Sequence, residues 1–127
     1  MSEALPTRVL IVDDEEPLLQ LIQRFVSHAG YEVDVCSSGA DAWRVFSNEP
    51  ARYSLVVLDL TLPDMPGEEL ARRMLEAGGA KLLISSGYPI DIEGFPAAER
   101  SRIGFLHKPF VPRMLLDAVE GLMGKRA

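Results

Sequence analysis

Val9-Leu10-Ile11-Val12-Asp13-Asp14 sets four aliphatic residues in front of two acids. The run is too short for a helix and too uniformly apolar for a strand with one wet face. Strands buried on both faces of a parallel sheet read this way. Leu55-Val56-Val57-Leu58 repeats the pattern and is closed by Asp59. Further apolar runs occur at residues 33–35, 82–84 and 103–106, and Lys108 and Pro109 stand just past the last of them. In a parallel sheet the carboxyl ends of the strands share one edge, where open α/β sheets place their ligands. Asp13, Asp14, Asp59 and Lys108 would then meet in one crevice. Three acids there repel one another unless a cation lies among them, so the pattern points to a Mg²⁺ site that handles a phosphoryl group.

Helical patterns separate the runs. Leu18, Leu21, Ile22, Phe25 and Val26 recur at helical spacing. Trp43 and Phe46 mark a second helix, entered through the capping candidates Ser37 and Ser38. Leu70, Met74 and Leu75 mark a third. Val111, Met114, Leu115, Ala118, Val119, Leu122 and Met123 form the apolar stripe of the last. The alternation predicts an α/β fold of five parallel strands with helices on both faces, joined by right-handed crossovers. The stretch between the fourth and fifth strands departs from it. Pro89, Gly94 and Pro96 fall where a helix should run, and in a helix interior a proline costs ~3 kcal/mol and a glycine ~1 kcal/mol. A loop followed by a short helix of about two turns at residues 97–101 is expected instead.

Composition narrows the function. The chain has 127 residues, 47% of them hydrophobic and 25% charged, which suits one soluble domain spanning residues 1–127, with its core over about 8–124. A net charge of −6 opposes binding to nucleic acid, which needs Lys and Arg on the phosphates. No apolar run approaches the ~20 residues that span a bilayer, and residues 1–6 lack the basic start and apolar core of a signal peptide. Cys36 is the one cysteine, so no internal disulfide can form, and a cytoplasmic location is expected.

Four pieces in order carry a family resemblance. They are Ile11-Val12-Asp13-Asp14-Glu15-Glu16; Val57-Leu58-Asp59-Leu60 with Pro63 and Gly67 beyond it; Ile84-Ser85-Ser86-Gly87; and Phe105-Leu106-His107-Lys108-Pro109-Phe110. Each is weak alone, but together they make the chain resemble the receiver domain of bacterial two-component response regulators, from about residue 8 to 124. The resemblance implies a flavodoxin-like doubly wound sheet of order 2-1-3-4-5. It implies that Asp59 is the phosphoacceptor, a carboxylate nucleophile. Asp13 and Asp14 would hold Mg²⁺ with Asp59 and the backbone carbonyl of Thr61, a hard oxygen set of the kind this ion takes. Lys108 would follow a phosphoryl oxygen as a mobile point charge, next to a cis Lys108–Pro109 bond. By the same resemblance Ser86 would be the hydroxyl switch and Phe105 the aromatic switch, which lacks the hydroxyl that a tyrosine would bring.

The same resemblance supplies partners. A histidine kinase or a histidine phosphotransfer protein would donate the phosphoryl group. The segment 89–102, strand five and the last helix would then change affinity for a downstream protein, and this surface could also pair with a second copy. After the last helix only Gly124-Lys125-Arg126-Ala127 remain, so the output is expected to pass to another protein rather than to an attached effector. Thr61 and Tyr88 flank the phosphoryl position and are expected to slow hydrolysis. The chain would be a switch that assists its own phosphorylation, not a conventional enzyme.

Other readings compete. A flavodoxin-type cofactor site needs an uncharged loop after the first strand, and Asp13 to Glu16 would repel a phosphate there. A haloacid dehalogenase-type phosphatase wants a second Asp two residues past the nucleophile, where Thr61 stands. A receiver excised from a hybrid sensor kinase and a phosphate-independent scaffold are the remaining alternatives. Residue by residue, Asp14 could cap the first helix, Asp59 could be a turn acid, and Lys108 could be a solvated lysine. Trp43, Cys36, Met114 and Met123 read as packing residues, and His28 and His107 suggest no zinc site.

Overall fold

In the computed structural model, which describes residues 7–89 and 92–124, every expected strand is present. The elements are β1 (Arg8–Val12), α1 (Glu16–His28), β2 (Glu32–Cys36), α2 (Gly39–Asn48), β3 (Leu55–Asp59), α3 (Gly67–Ala77), β4 (Lys81–Ser86), β5 (Ile103–His107) and α4 (Pro112–Met123). All strand pairs are parallel, in the order β2-β1-β3-β4-β5. The chain thus has the flavodoxin-like topology, with the order reversing between β1 and β3.

Strand alternation divides the core in two. Leu10, Val12, Val56, Leu58, Leu82 and Ile84 pack beneath α2 and α3 with Phe46, Leu70 and Met74. Val9, Ile11, Leu55, Val57 and Leu83 face α1 and α4 with Ile22, Val26, Leu115 and Val119. This is why the central runs have no polar member: both of their faces are covered. Ser38 caps α2 by accepting from the Asp41 N–H at 3.2 Å, as one of the two expected caps. Phe46 is stacked between Trp43 and Tyr53, with ring centroids at 6.4 and 6.1 Å.

Two helical stripes are rotated from their expected phase. In α1 the buried set is Leu19, Ile22 and Val26, while Leu21 is 44% exposed. In α4 it is Leu115, Leu116 and Val119, while Met114 is 47% exposed and is no core residue. Both sequences offer adjacent apolar phases about 100° apart, and contact with the sheet selects one of them.

Among the described residues between β4 and β5 there is no α-helix. Residues Ile92–Gly94 and Ala97–Arg102 form 3₁₀ turns, and the second occupies the place expected for the short helix. Six residues at three per turn make the two turns. Arginines anchor this stretch. Arg72 donates to the Gly94 carbonyl at 3.2 Å and lies over the buried Phe95 ring. Arg100 donates to the Phe95 carbonyl at 3.2 Å. Arg102 pairs with Glu99 and donates to the carbonyls of Leu75, Gly78 and Ala80 at 3.2, 2.5 and 2.7 Å.

Among the described residues no helix is long and apolar enough to cross a membrane. Phe46→Ala is expected to lower the free energy of unfolding by about 3–5 kcal/mol. Leu21→Ala, on the exposed side of α1, should change it by no more than about 0.5 kcal/mol. Urea denaturation of the two variants checks that Phe46 of α2 belongs to the core and that Leu21 of α1 does not.

Candidate functional site

The parallel sheet delivers the acids and the lysine to one edge. Asp13 follows β1, Asp59 ends β3, Ser86 ends β4 and Lys108 follows β5. Asp13 and Asp59 are each only 2% exposed, whereas Asp14 is open to solvent. One carboxylate oxygen from each of Asp13, Asp14 and Asp59 falls within a common 4.8 Å. The three acids found in sequence are therefore one cluster, and such an all-oxygen set suits a hard divalent cation.

Each buried carboxylate is held at both oxygens. Asp13 Oδ1 accepts from the Glu15 N–H at 2.9 Å, and Asp59 Oδ1 accepts from the Thr61 N–H at 3.0 Å. The Lys108 ammonium lies 3.0 Å from Asp13 Oδ2 and 3.3 Å from Asp59 Oδ2. Its own position is set by its N–H, which donates to the Ser86 carbonyl at 2.8 Å, and the Lys108–Pro109 bond is cis. Lys108 is not a solvated surface lysine. Nor does Asp14 cap α1: the residue preceding the helix is Glu15, with no side-chain cap.

Burial is the largest influence on Asp59 and raises its carboxyl above the ordinary range. The Thr61 N–H and the Lys108 charge oppose that rise, and Asp13 adds to it. Burial pulls the Lys108 ammonium the other way, but the hydrogen bond and charge of Asp13, with the charge of Asp59, outweigh it and raise its pKa. The lysine is firmly cationic, and a proton is harder to remove from Asp59 than from an exposed aspartate.

Ser86 is buried, and its Oγ accepts from the Tyr88 N–H at 3.0 Å. One lone pair is thus occupied and the hydroxyl proton remains to be given away. Tyr88, 71% exposed, joins Asp14, Glu15, Asp59, Thr61, Gly87 and Lys108 around a shallow pocket over the acids. Phe105 lies on β5 opposite Ile84 and is 37% exposed. Cys36 is buried, and its carbonyl accepts from the Asp13 N–H at 3.2 Å. Sequence reading missed Glu15, whose carboxylate reaches Lys108 at 3.4 Å. Its place beside the acidic pair was the available signal. It also passed over Asp64, whose contacts lie 24 and 25 residues away on α2 and leave no local trace.

The raised carboxyl of Asp59 gives a signed pH effect. Between the ordinary aspartate value of about 3.9 and the higher folded value, the folded protein binds more protons than the unfolded chain. Stability therefore falls as pH rises through this window, and the loss is complete above it. Asp59→Asn removes the ionising group. In chelator at pH 7 the variant should unfold at a higher urea concentration than the parent, and the difference should vanish below about pH 3.9. Equal midpoints at pH 7 would contradict a burial-dominated Asp59.

A family model, the response regulator receiver domain, matches residues 9–120. The regulatory protein VanRB of Enterococcus faecalis is 33% identical over 116 residues, covering 91% of this chain and 52% of that protein. The transcriptional regulatory protein ResD of Bacillus subtilis is 25% identical, over 97% of this chain and 50% of ResD. The chain spans about half the length of the curated relatives it matches. A CheY-like response regulator receiver domain protein from Methanospirillum hungatei JF-1 superposes with a TM-score of 0.80 at 27% identity, over 92% of this chain and 93% of the other. The receiver domain of the hybrid histidine kinase CckA shares the fold, with a TM-score of 0.77 at 24% identity over 91% and 98% of the two chains. Fold, strand-end acids and sequence agree: this chain belongs to the response regulator receiver domain family, whose members are phosphoacceptors in two-component signalling.

Proposed function

We propose that Asp59 is the residue that accepts the phosphoryl group here, and that Asp13, Asp14, Asp59 and the Thr61 carbonyl hold Mg²⁺ while it does so. One observation carries the reading: three carboxylates converge within 4.8 Å, two of them buried and bridged by a single ammonium. Bound there, the metal would neutralise the acids and the phosphoryl oxygens.

The chain's own groups divide the remaining work. Asp59 Oδ1 is tied to the Thr61 N–H, so Oδ2, turned toward Lys108, is the nucleophile. It attacks the phosphorus of a phosphohistidine on a kinase or phosphotransfer protein. An O–P bond forms, the N–P bond breaks, and the histidine nitrogen keeps the electron pair. Lys108 exchanges its contact with Asp59 for one with a phosphoryl oxygen, and Ser86 donates its free proton to another. These two moves draw on the ends of β4 and β5. Phe105 turns inward behind Ser86, and the surface of segment 89–102, β5 and α4 changes its affinity for a downstream protein or a second copy. Ile90 and Asp91 of that segment lie outside the described residues. Phosphorylation biases states that already coexist. The fold family and the lone, buried Cys36 favour a cytoplasmic setting.

Incubation with acetyl phosphate and Mg²⁺ should label the parent protein and leave Asp59→Asn unlabelled. Label persisting on another residue of the variant would overturn the acceptor assignment. Chelation of divalent ions should stop uptake, and undiminished labelling in chelator would remove the metal from the reading. Thr61 and Tyr88 line the pocket over the acids, and in this reading they slow the attack of water, so the label should persist for minutes or longer. Decay within seconds would contradict their role.

A further inference from the structure

The loop between β3 and α3 carries Thr61, and it is tied to the start of α2. Asp64 reaches across to the start of α2, where Oδ1 accepts from the Gly39 N–H and Oδ2 from the Ala40 N–H, both at 2.9 Å. These two donors, Gly39 first, hold the Asp64 carboxyl below the usual carboxylate range. The start of α2 is also close-packed against the loop's Met65 side chain. A Cβ at Gly39 would sit 2.5 Å from Met65 Cγ and 2.7 Å from its Sδ. At the far end of the loop, a Cβ at Gly67 would sit 2.4 Å from Leu60 Cα. The loop is thus pressed against backbone where α3 begins and pinned to α2 in its middle.

From this geometry we infer that Asp64 is a positioning residue that braces the 60–66 loop and so fixes Thr61 over Asp59. The brace closes a circuit. The Asp13 N–H donates to the Cys36 carbonyl, three residues on α2 begins, Gly39 and Ala40 donate to Asp64, and three residues before Asp64 the Thr61 N–H donates to Asp59. The two buried carboxylates are therefore located relative to each other by this route as well as by the sheet. Ser38 caps the same helix through Asp41 and has no part in the loop. Loss of the Ser38 cap weakens α2 without freeing Thr61, whereas loss of Asp64 does both.

The functional half of this inference rests on the phosphoacceptor reading, and the structural half does not. Asp64→Ala and Ser38→Ala are compared with the parent as intact chains, at a temperature where urea curves show all three folded. In metal-free protein, amide exchange across residues 60–66 should quicken about tenfold in Asp64→Ala, as expected for losing two hydrogen bonds. It should be unchanged in Ser38→Ala. The Mg²⁺ concentration giving half-maximal labelling by acetyl phosphate should rise about tenfold in Asp64→Ala alone, since the brace supports a ligand stretch without touching the ion. Exchange at 60–66 that matches the parent, or that moves equally in both variants, overturns the brace. Quickened exchange with an unmoved Mg²⁺ requirement overturns its link to the site. A parent protein that takes no label while the exchange difference holds would sink the phosphoacceptor reading and leave the brace standing.

Discussion

Two carboxylates buried side by side constrain everything around them. Asp13 and Asp59 end adjacent strands and are almost wholly removed from water, where an unpaired charge would cost several kcal/mol. The Lys108 ammonium between them relieves that repulsion. It can do so only because β5 lies two strands from β3 in the sheet and its end comes level with theirs. The parallel order, the strand lengths and the turn after β5 are all conditions for one cation to reach two anions. The pocket is also poised, because a lysine that neutralises acids can equally neutralise a phosphoryl group, and so can exchange one partner for another.

Much of this was legible in the sequence, for reasons that differ by element. The central strands could be read because both of their faces are covered and no polar residue interrupts them. The acids could be read because each stands at the end of such a run, and a parallel sheet leaves such ends no other destination. The strand order itself came from the family resemblance, since alternation alone admits several windings. The helical faces of α1 and α4 were misread at Leu21 and Met114, where two apolar phases compete and only the sheet decides between them. Asp64 was invisible, because its partners are brought near by the fold and by nothing local.

The stretch before β5 was foreseen as irregular from Pro89, Gly94 and Pro96, but its means of support was not. An α-helix would satisfy its own carbonyls. Here Arg72 from α3 and Arg100 from within the stretch do part of that work, on the carbonyls of Gly94 and Phe95, while Arg102 ties the stretch to α3 and the entry of β4, with Phe95 as the apolar plug beneath. The guanidinium suits this task, since its fixed fork of donors can meet several carbonyls at once.

Arg102 has a mechanical consequence. Its side chain ties the residue just before β5 to the carbonyls of Leu75 on α3 and of Gly78 and Ala80 at the entry to β4. A shift of β5 cannot dissipate in a slack connection. It must either carry the tail of α3 along or break three hydrogen bonds together, so strain arising at one edge of the sheet travels to its neighbours as a lever stroke.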